Sequence, residues 1–396
     1  MTHGSPQIAL GELVLPVSTC NPETGMSEAD FRYIDLSSVN QQTKTIELDR
    51  RVQVADTPSR ARQLIKAGDV LVSTVRPNLN AVAVVPNRLD GAIASTGFCV
   101  LRPNPELLRS EYLFHWVRTE SFISEMVRRA TGASYPAVSD RIVCESAIPL
   151  PQIEEQRRIA AILDKADALR QKRRLAVQKL DSLILAIFFD MFGDPTTFSI
   201  KVSPVPLADF VRSDDGINYG VVQPGDDFEG GVPLVRVGDF TNGRIDLTSQ
   251  KMIDPKIEAQ YSRSRLRGDE LLISCVGSIG TTALCRPDMR GMNIARAVAR
   301  VPADPTVIDS TFLLFYLKTP YIQHYFQSQV RTVNQPTLNI KQINETPVYA
   351  PAIGLQKTFA LRARKLLAIR DKCASLDERL ETFFSAIQHR AFQGEL

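Results

Sequence analysis

The sequence predicts an α+β protein with two pseudo-symmetric α/β domains separated by a two-helix antiparallel coiled coil. Three observations lead to this fold class. Residues 145–192 align without gaps on residues 345–392, and each aligned segment follows a similar succession of short strands and one amphipathic helix. Each repeated segment also has apolar residues at heptad spacing. The aligned copies share several residues, among them Pro151/Pro351, Ile153/Ile353, Gln156/Gln356, Arg170/Arg370, Leu180/Leu380 and Phe192/Phe392.

The two globular domains are predicted at residues 1–149 and 196–350. In the first domain, short apolar runs with turn residues between them indicate strands, and residues 110–130 have the pattern of an amphipathic helix. The second domain repeats this order and ends with a similar helix at 310–330. The chain is long enough for two such cores and their connecting helices.

The helical segments are predicted at residues 150–195 and 351–396. Pro151 and Pro351 are expected in the first turn of each helix, where a missing N–H costs little. Two matching apolar stripes favour pairing of the helices, although each helix alone has the pattern to lie on the core of its own domain. The first helix has a positions at Ile159, Ala166, Leu180 and Ile187 and d positions at Ile162, Leu169, Ala176 and Leu183. The second has a positions at Phe359, Leu366, Cys373, Leu380 and Ile387 and d positions at Ile369, Leu376 and Phe383.

Composition excludes few classes of function. The chain has 396 residues and a formal net charge of +3, which permits an anionic partner without requiring one. The six cysteines and four histidines have no metal-ligand spacing, so buried free thiols are expected. Neither a signal peptide nor an apolar run long enough for a membrane span is recognisable, and a cytoplasmic location with no membrane partner is expected.

The segment that opens the first long helix carries a family resemblance. The run PLPQIEEQRRIAAILDKADALRQKRRLAVQKLDSLILAIFFDMFGDP, which begins at Pro149, resembles the central conserved region of type I restriction-modification specificity subunits. The resemblance extends over the whole chain, including the order of domain, helix, domain and helix. In the second copy the glutamates at 154 and 155 are replaced by Gly354 and Leu355.

The resemblance implies a sequence-specific DNA-binding subunit, in which 1–149 and 196–350 are target recognition domains. It implies double-stranded DNA, two methyltransferase (modification) subunits and restriction/translocase subunits as partners. No cofactor is expected on this chain, and S-adenosylmethionine, ATP and Mg²⁺ are expected on the partner subunits. Each domain would read one half of a bipartite asymmetric target, and the helices would set a gap of order 10 bp between half-site centres.

Motifs for catalysis are missing from the sequence. There is no Asn-Pro-Pro-Phe/Tyr element for adenine methylation, no phosphate-binding Gly-rich loop followed by Lys-Ser/Thr, and no metal-dependent nuclease signature. A non-catalytic role is therefore expected. Two alternatives stay open: a stand-alone methyltransferase or nuclease with an unrecognised site, and an anti-phage scaffold protein without sequence preference.

Candidate DNA-binding residues are Arg, Asn, Gln, Tyr, Ser and Thr side chains in predicted loops, because such groups hydrogen-bond to bases and phosphates. In the first domain they are Arg76, Asn78, Asn80, Arg128, Ser134 and Tyr135. In the second domain they are Asn218, Tyr219, Gln223, Arg236, Asn242, Arg331, Thr332, Asn334 and Gln335. Candidate docking residues for the modification subunits are Glu154, Glu155, Gln156 and Gln356 at the helix starts.

Overall fold

The computed structural model describes residues 5–25, 28–48, 50–198, 203–241, 243–330 and 336–396. The chain divides into two compact units. Unit 1 comprises Met1–Leu175 and Ala374–Leu396, and unit 2 comprises Ala176–Cys373. Each unit therefore combines one α+β portion with a segment of each long helix.

Unit 1 contains twelve strands and five short helices among its described residues. Its strands are β1 (Gln7–Ala9), β2 (Val14–Leu15), β3 (Asp30–Ile34), β4 (Val39–Asn40), β5 (Thr45–Ile46), β6 (Arg50–Gln53), β7 (Ala61–Leu64), β8 (Val70–Ser73), β9 (Val82–Val84), β10 (Ile93–Ser95), β11 (Phe98–Pro103) and β12 (Ala147–Pro149). Its short helices are α1 (Leu10–Leu13), α2 (Pro22–Gly25), α3 (Ser110–Trp116), α4 (Glu120–Arg129) and α5 (Asp140–Glu145).

Two four-stranded sheets form the framework of unit 1. One has the order β6-β3-β10-β7 and includes a parallel pair in which Ile93 lies opposite Tyr33. The other has the order β2-β11-β8-β9 and is antiparallel throughout. All four residues of β8 are buried, as expected for a central strand covered on both faces.

The long helices pack against each other and against the α+β portion within unit 1. The first, α6 (Ile153–Phe192), has 40 residues, and the last, α12 (Ile353–Gln393), has 41. Arg170 Nε donates to Glu381 at 3.0 Å, while Arg158 Nη2 donates to the carbonyl of Leu396 at 2.6 Å. Residue numbers rise along one helix as they fall along the other, so the segments in unit 1 are antiparallel.

Unit 2 repeats this plan. Its strands are β13 (Val205–Pro206), β14 (Asn218–Tyr219), β15 (Val232–Val235), β16 (Phe240–Thr241), β17 (Arg244–Ile245), β18 (Lys251–Ile253), β19 (Leu271–Ser274), β20 (Thr282–Leu284), β21 (Asn293–Ile294), β22 (Val298–Val301) and β23 (Pro347–Val348). Its short helices are α7 (Pro195–Phe198), α8 (Pro255–Ala259), α9 (Ser310–Leu317), α10 (Pro320–Gln329) and α11 (Ile340–Asn344).

The sheets of unit 2 resemble those of unit 1, except that the mixed sheet has three strands, in the order β18-β15-β21. Strand β15 pairs in parallel with β21, with Leu234 opposite Asn293, and a four-stranded sheet has the order β14-β22-β19-β20. The core of unit 2 includes Phe188 of α6 and Phe359 of α12, whose ring centres are 5.4 Å apart. The two helices are antiparallel here as well, since Arg370 Nη1 donates to Asp181 at 3.2 Å. The predicted α+β class and antiparallel helix pairing are thus confirmed.

The start of each long helix differs slightly from the prediction. The carbonyl of Gln152 accepts the first helical hydrogen bond, from Gln156 N at 3.0 Å, and the helix begins at Ile153. Pro151 therefore precedes the capping residue instead of lying in the first turn. Pro351 has the same relation to the helix that begins at Ile353.

Most of the predicted d positions of the helices are wrong, because only Ile162 among them is even partly buried. Leu169, Leu183, Ile369, Leu376 and Phe383 are exposed. The buried positions include Ile159, Leu163 and Asp167 of α6 and Phe384, Gln388 and Ala391 of α12.

Contacts with the α+β portion explain why the buried face of each helix differs from the predicted face. His115 Nε2 lies 2.8 Å from Asp164 Oδ1, Arg118 donates to Asp167 at 3.0 Å, and Gln388 donates to the carbonyl of His115 at 2.8 Å. Each helix segment in unit 1 thus buries a face shared between the other helix and the globular portion. The predicted pattern, in which two helices meet only along a heptad seam, does not describe that shared face, and a second apolar stripe is left in contact with solvent.

All six cysteines are free thiols. Among the described residues, no helix is long and apolar enough to cross a membrane.

Candidate nucleic-acid interface

Two loops of unit 1 lie side by side and form the candidate interface. Residues 76–80 connect β8 to β9, and residues 131–136 connect α4 to α5. The backbone N–H of Arg76 donates to the carbonyl of Pro136 at 2.7 Å, and Val75 forms a bridge with Ala137. We call residues 76–80 and 131–136 the paired-loop surface.

The paired-loop surface presents polar and cationic side chains to solvent. Arg76, Asn78, Ser134 and Tyr135 are exposed, and the Cζ atom of Arg76 lies 4.7 Å from the centre of the Tyr135 ring. Arg128, in the last turn of α4, is also exposed. Neither Arg76 nor Arg128 has an ion-pair partner among the described residues. Five of the six candidates in the first domain are therefore accessible to an anionic ligand.

Asn80 is the exception and corrects the prediction. Its side chain is buried, donates through Nδ2 to the carbonyl of Val117 at 2.9 Å, and accepts from Lys44 Nζ at 3.2 Å through Oδ1. Asn80 has a φ of 45°, in the left-handed region, where asparagine is among the better tolerated residues. Its side chain holds the end of the loop and is not available to a base.

Lys44 is a residue that the sequence prediction missed. It lies between β4 and β5 and, besides its contact with Asn80, is close to the long helix. Burial, together with the nearby charges of Arg118, Arg170 and Arg174, lowers the pKa of Lys44 to about 8, while Asp167 opposes this shift. Lys44 has a φ of 57°, in the left-handed region, and lies 36 residues before Asn80. The sequence around Lys44 therefore gives no local signal for its contact with Asn80.

The matching region of unit 2 is described in part. Val276 forms a bridge with Thr337, as Val75 does with Ala137. The loop that follows Val276, before β20, is Gly277–Gly280. Alignment of the two halves of the sequence is the signal that marks this loop as the counterpart of residues 76–80. The candidates Asn242, Arg331, Thr332, Asn334 and Gln335 lie outside the described residues.

The other candidates of unit 2 are mostly engaged within the unit. Tyr219 donates to the carbonyl of Leu338 at 2.7 Å, and burial raises its pKa to about 12. Asn218 Nδ2 donates to the carbonyl of Gly216 at 3.0 Å. The Tyr219 hydroxyl therefore supports the segment around Leu338 and is not a free DNA-binding group.

Arg236 also has a structural role. Its Nη2 donates to Asp239 Oδ1 and to the carbonyl of Ser249, each at 3.0 Å. These bonds engage one side of the guanidinium, but the side chain is still 42% exposed, so Arg236 stays a candidate for DNA binding. Gln223 is exposed and stays a candidate.

The glutamines predicted to dock partner subunits are buried. Gln156 accepts from Arg109 N at 3.0 Å and donates to the carbonyls of Leu107 and Pro151, each at 2.9 Å. Gln356 makes the equivalent bonds in unit 2, accepting from Asp309 N at 2.9 Å. Both side chains are fully buried, so they tie each helix start to its own unit and cannot contact a partner.

The glutamates at the first helix start remain accessible. Glu154 pairs with Arg157 and Glu155 with Arg158, at 2.6 and 2.7 Å respectively. Hydrogen bonding from Arg158 holds the pKa of Glu155 below its ordinary value. These pairs leave an exposed, charge-balanced face.

The described residues include no group of three or more His, Cys, Asp or Glu side chains that could hold a metal ion. An apolar cavity of about 290 Å³ in unit 2 is lined mainly by aromatic and aliphatic side chains, among them Phe188, Phe192, Phe312 and Leu355. Its lining lacks the carboxylates, histidines and lysines that general acid–base chemistry would use.

Comparison with known proteins finds similarity to one family. The family model for the type I restriction modification DNA specificity domain matches residues 32–179. The type I restriction enzyme EcoBI specificity subunit of Escherichia coli is 26% identical over 334 residues, covering 78% of this chain and 70% of the relative. The HindI specificity subunit of Haemophilus influenzae is 30% identical over 145 residues, covering 36% of this chain and 31% of that protein.

Solved structures agree with these relatives. A chain from a study of complex assembly and conformational transition in a type I restriction-modification system has a TM-score of 0.54 and 27% identity, covering 100% of this chain and 99% of its own length. A type I S subunit from M. genitalium shares the fold, with a TM-score of 0.56, 14% identity, and coverage of 99% and 97%. The chain is thus similar to the specificity subunits of type I restriction-modification systems.

Proposed function

We propose that this chain is the DNA-recognition subunit of a type I restriction-modification complex and reads a bipartite, asymmetric target. The observation that carries the proposal is the paired-loop surface. Its residues 76–80 occupy the place in unit 1 that residues 277–280 occupy in unit 2. Unit 1 has Arg76-Pro77-Asn78-Leu79-Asn80 where unit 2 has Gly277-Ser278-Ile279-Gly280. Two related units with different loops are expected to read different half-sites.

The chemistry of the paired-loop surface suits a DNA duplex. Arg76 and Arg128 supply unpaired positive charge, and Asn78, Ser134 and Tyr135 supply hydrogen-bonding groups. Arginine and asparagine are the usual partners of guanine and adenine edges, while hydroxyls and further arginines hold phosphates.

The two long helices are proposed to fix the gap between half-sites. A helix of 40 residues is about 60 Å long at 1.5 Å per residue. Antiparallel packing of the helix segments within each unit, with ion pairs such as Arg170–Glu381, supports a stiff connection. Half-site centres about one DNA turn apart, of order 10 bp, would place both contacts on one face of the duplex.

The exposed apolar stripe on the helices is the proposed docking surface for two methyltransferase subunits. In unit 1 it includes Leu169, Leu376 and Phe383, with Phe383 59% exposed, and in unit 2 it includes Leu183 and Ile369. Side chains of this size in water favour a protein partner. Glu154 and Glu155 are accessible at the start of the first helix and could provide the polar edge of such an interface.

Catalysis and cofactors are assigned to other subunits of the complex. S-adenosylmethionine would be bound by the methyltransferase subunits, and ATP and Mg²⁺ by the restriction/translocase subunits, with the complex acting in the cytoplasm. This chain would itself be non-catalytic. The similarity of the chain to type I specificity subunits supports this division of labour.

Exchange of residues 1–145 for the corresponding segment of another specificity subunit tests the proposal. Long-read methylation mapping of a host that carries the assembled complex should show one altered half-site, with the other half-site and the gap retained. The matched control exchanges a segment of unit 2 and should alter the opposite half-site. Alteration of both half-sites by either exchange would contradict independent reading.

The two rival functions have their own test. The purified chain alone is incubated with DNA and S-adenosylmethionine, or with DNA and Mg²⁺, and methylation and cleavage are measured. Activity of the isolated chain would identify a stand-alone enzyme. Assembly of a complex that binds DNA with no preferred motif would identify a scaffold.

A further inference from the structure

Arg76 occupies a backbone position that disfavours an arginine. Its φ is 50° and its ψ is 62°, in the left-handed region that side chains other than glycine, asparagine and aspartate rarely adopt. Of the described residues other than glycine, only Lys44, Arg76 and Asn80 have positive φ. Local backbone preference does not explain an arginine in this conformation, so an interaction of its side chain is the expected explanation.

Unit 2 shows which residue the backbone itself prefers at this position. Ser73 N donates to the carbonyl of Ala81 at 2.9 Å, and Ser274 N donates to that of Thr281 at 2.8 Å, so the two loops start and close alike. Gly277 follows Val276 as Arg76 follows Val75, and its φ is 73°.

The space around position 277 would admit a residue larger than glycine. A Cβ atom built on Gly277 would meet nothing within 4 Å. Backbone conformation alone therefore explains the glycine of unit 2. The arginine of unit 1 is retained against the same conformational preference.

The second left-handed residue of the loop has an internal explanation. Asn80 caps the carbonyl of Val117 and accepts a hydrogen bond from Lys44. At the matching place unit 2 has Gly280, with φ of 80°, and there Gln323 Nε2 caps the carbonyl of Leu317 at 2.7 Å. The side chain of Asn80 thus serves the fold.

Arg76 has no comparable internal role. Its side chain forms no hydrogen bond or ion pair with any described residue, and its guanidinium lies over the exposed ring of Tyr135. All five N–H donors of the guanidinium are therefore free. A guanidinium supported by an aromatic ring is restrained before its ligand arrives, which lowers the entropy lost on binding.

We propose that Arg76, supported by Tyr135, reads a guanine in the half-site of unit 1. The planar guanidinium can donate two parallel hydrogen bonds to O6 and N7 of guanine, which is the commonest specific contact in the major groove. Because Gly277 offers no side chain, unit 2 lacks this contact at the matching loop position. The inference rests on the proposed function, since it names the base recognised by one of its surfaces.

The experiment compares Arg76→Gly, Arg76→Lys and Arg51→Ala with the wild-type chain, each in the full complex with methyltransferase subunits. Methylation mapping gives the motif, and binding is then measured with duplexes that differ only at each guanine of the half-site of unit 1. That half-site is identified by the exchange of residues 1–145. Arg51 is exposed but paired with Asp30, so its variant controls for the loss of one charge.

Arg76→Gly should reduce the preference for guanine over other bases about 5- to 150-fold at one position of one half-site. The other half-site and the gap should stay unchanged. The melting temperature should not fall, because glycine suits the left-handed backbone. Arg76→Lys keeps the charge without the planar fork and should lose part of the discrimination, while Arg51→Ala should keep all of it.

A phosphate contact would give a different result. Binding would then weaken equally for all duplexes, the slope of log affinity against log salt would fall by about 1, and Arg76→Lys would behave like wild type. That result would overturn the assignment of Arg76. A wild-type complex with no motif would refute the proposed function itself.

Tyr135 provides an independent check. Tyr135→Phe keeps the ring and should retain the guanine preference, whereas Tyr135→Ala should reduce it at the same position as Arg76→Gly. Equal discrimination by Tyr135→Ala and the wild type would show that the ring does not support the contact.

Discussion

Replacement of Gln156 by alanine tests whether this glutamine belongs to the interior of unit 1. The fully buried side chain makes hydrogen bonds of 3.0 Å with Arg109 N and 2.9 Å with the carbonyls of Leu107 and Pro151. At about 0.5–1.5 kcal/mol net for each bond, their loss costs about 1.5–4.5 kcal/mol. For a unit of roughly 200 residues, at about 2–4 °C for each kcal/mol, this corresponds to a melting temperature lower by about 3–18 °C.

The assay combines thermal unfolding of the full chain with amide hydrogen exchange, because a chain with two units does not have one defined unfolding free energy. Exchange should accelerate around residues 107–113 and 151–160. Gln356→Ala should produce the same effect around 307–313 in unit 2. Glu154→Ala removes only an exposed i,i+3 pair and should change stability by about 0.5 kcal/mol or less.

The opposite pattern would refute the reasoning. If Gln156→Ala melts like Glu154→Ala but no longer assembles with methyltransferase subunits, the glutamine is a docking residue and the internal hydrogen bonds do not matter. Reduced stability together with normal assembly of the folded fraction would support the structural role.

Three further perturbations have defined outcomes. Arg300→Met removes the buried partner of Asp215 and Glu270, at 3.0 and 3.2 Å, and should destabilise unit 2 by about 3–5 kcal/mol; unchanged hydrogen exchange there would contradict this. Burial lowers the pKa of His115. The stability that unit 1 gains from the neutral imidazole should therefore be fully present above about pH 6.5 and should be lost as the pH falls through the lowered pKa. His115→Phe, which copies Phe315 of unit 2, should lose less stability between about pH 7 and 5 in thermal unfolding, and an unchanged decline would exclude His115 as its source. One heptad inserted at the middle of each long helix adds about 10.5 Å and should lengthen the methylated gap by about 3 bp; an unchanged gap would show that the helices do not set it.

Much of the fold could be predicted because the chain contains its own internal comparison. The duplication located both long helices, and the apolar runs located central strands such as β8 and β19. The heptad pattern could not identify the buried face of the helices, however. Burial of Asp167 depends on Arg118, 49 residues earlier, and the exposure of Leu169 follows from that contact.

The site was predictable to a more limited degree. Loop composition singled out Arg76 and Tyr135, which the structure brings together. Polarity alone could not separate Arg76 from Asn80, since one side chain faces solvent and the other caps a carbonyl 37 residues away. The same limit applies to Gln156, whose partners include Leu107 and Arg109, far from it along the chain.

The solvent-facing leucines and phenylalanine of the long helices also affect how a cell must handle this polypeptide. Leu169 and Phe383 are more than half exposed in the isolated chain. Newly made copies that outnumber their binding partners would adhere to one another through these side chains and become substrates for chaperones and proteases. The exposed apolar side chains of the helices thus require balanced synthesis of the assembling subunits.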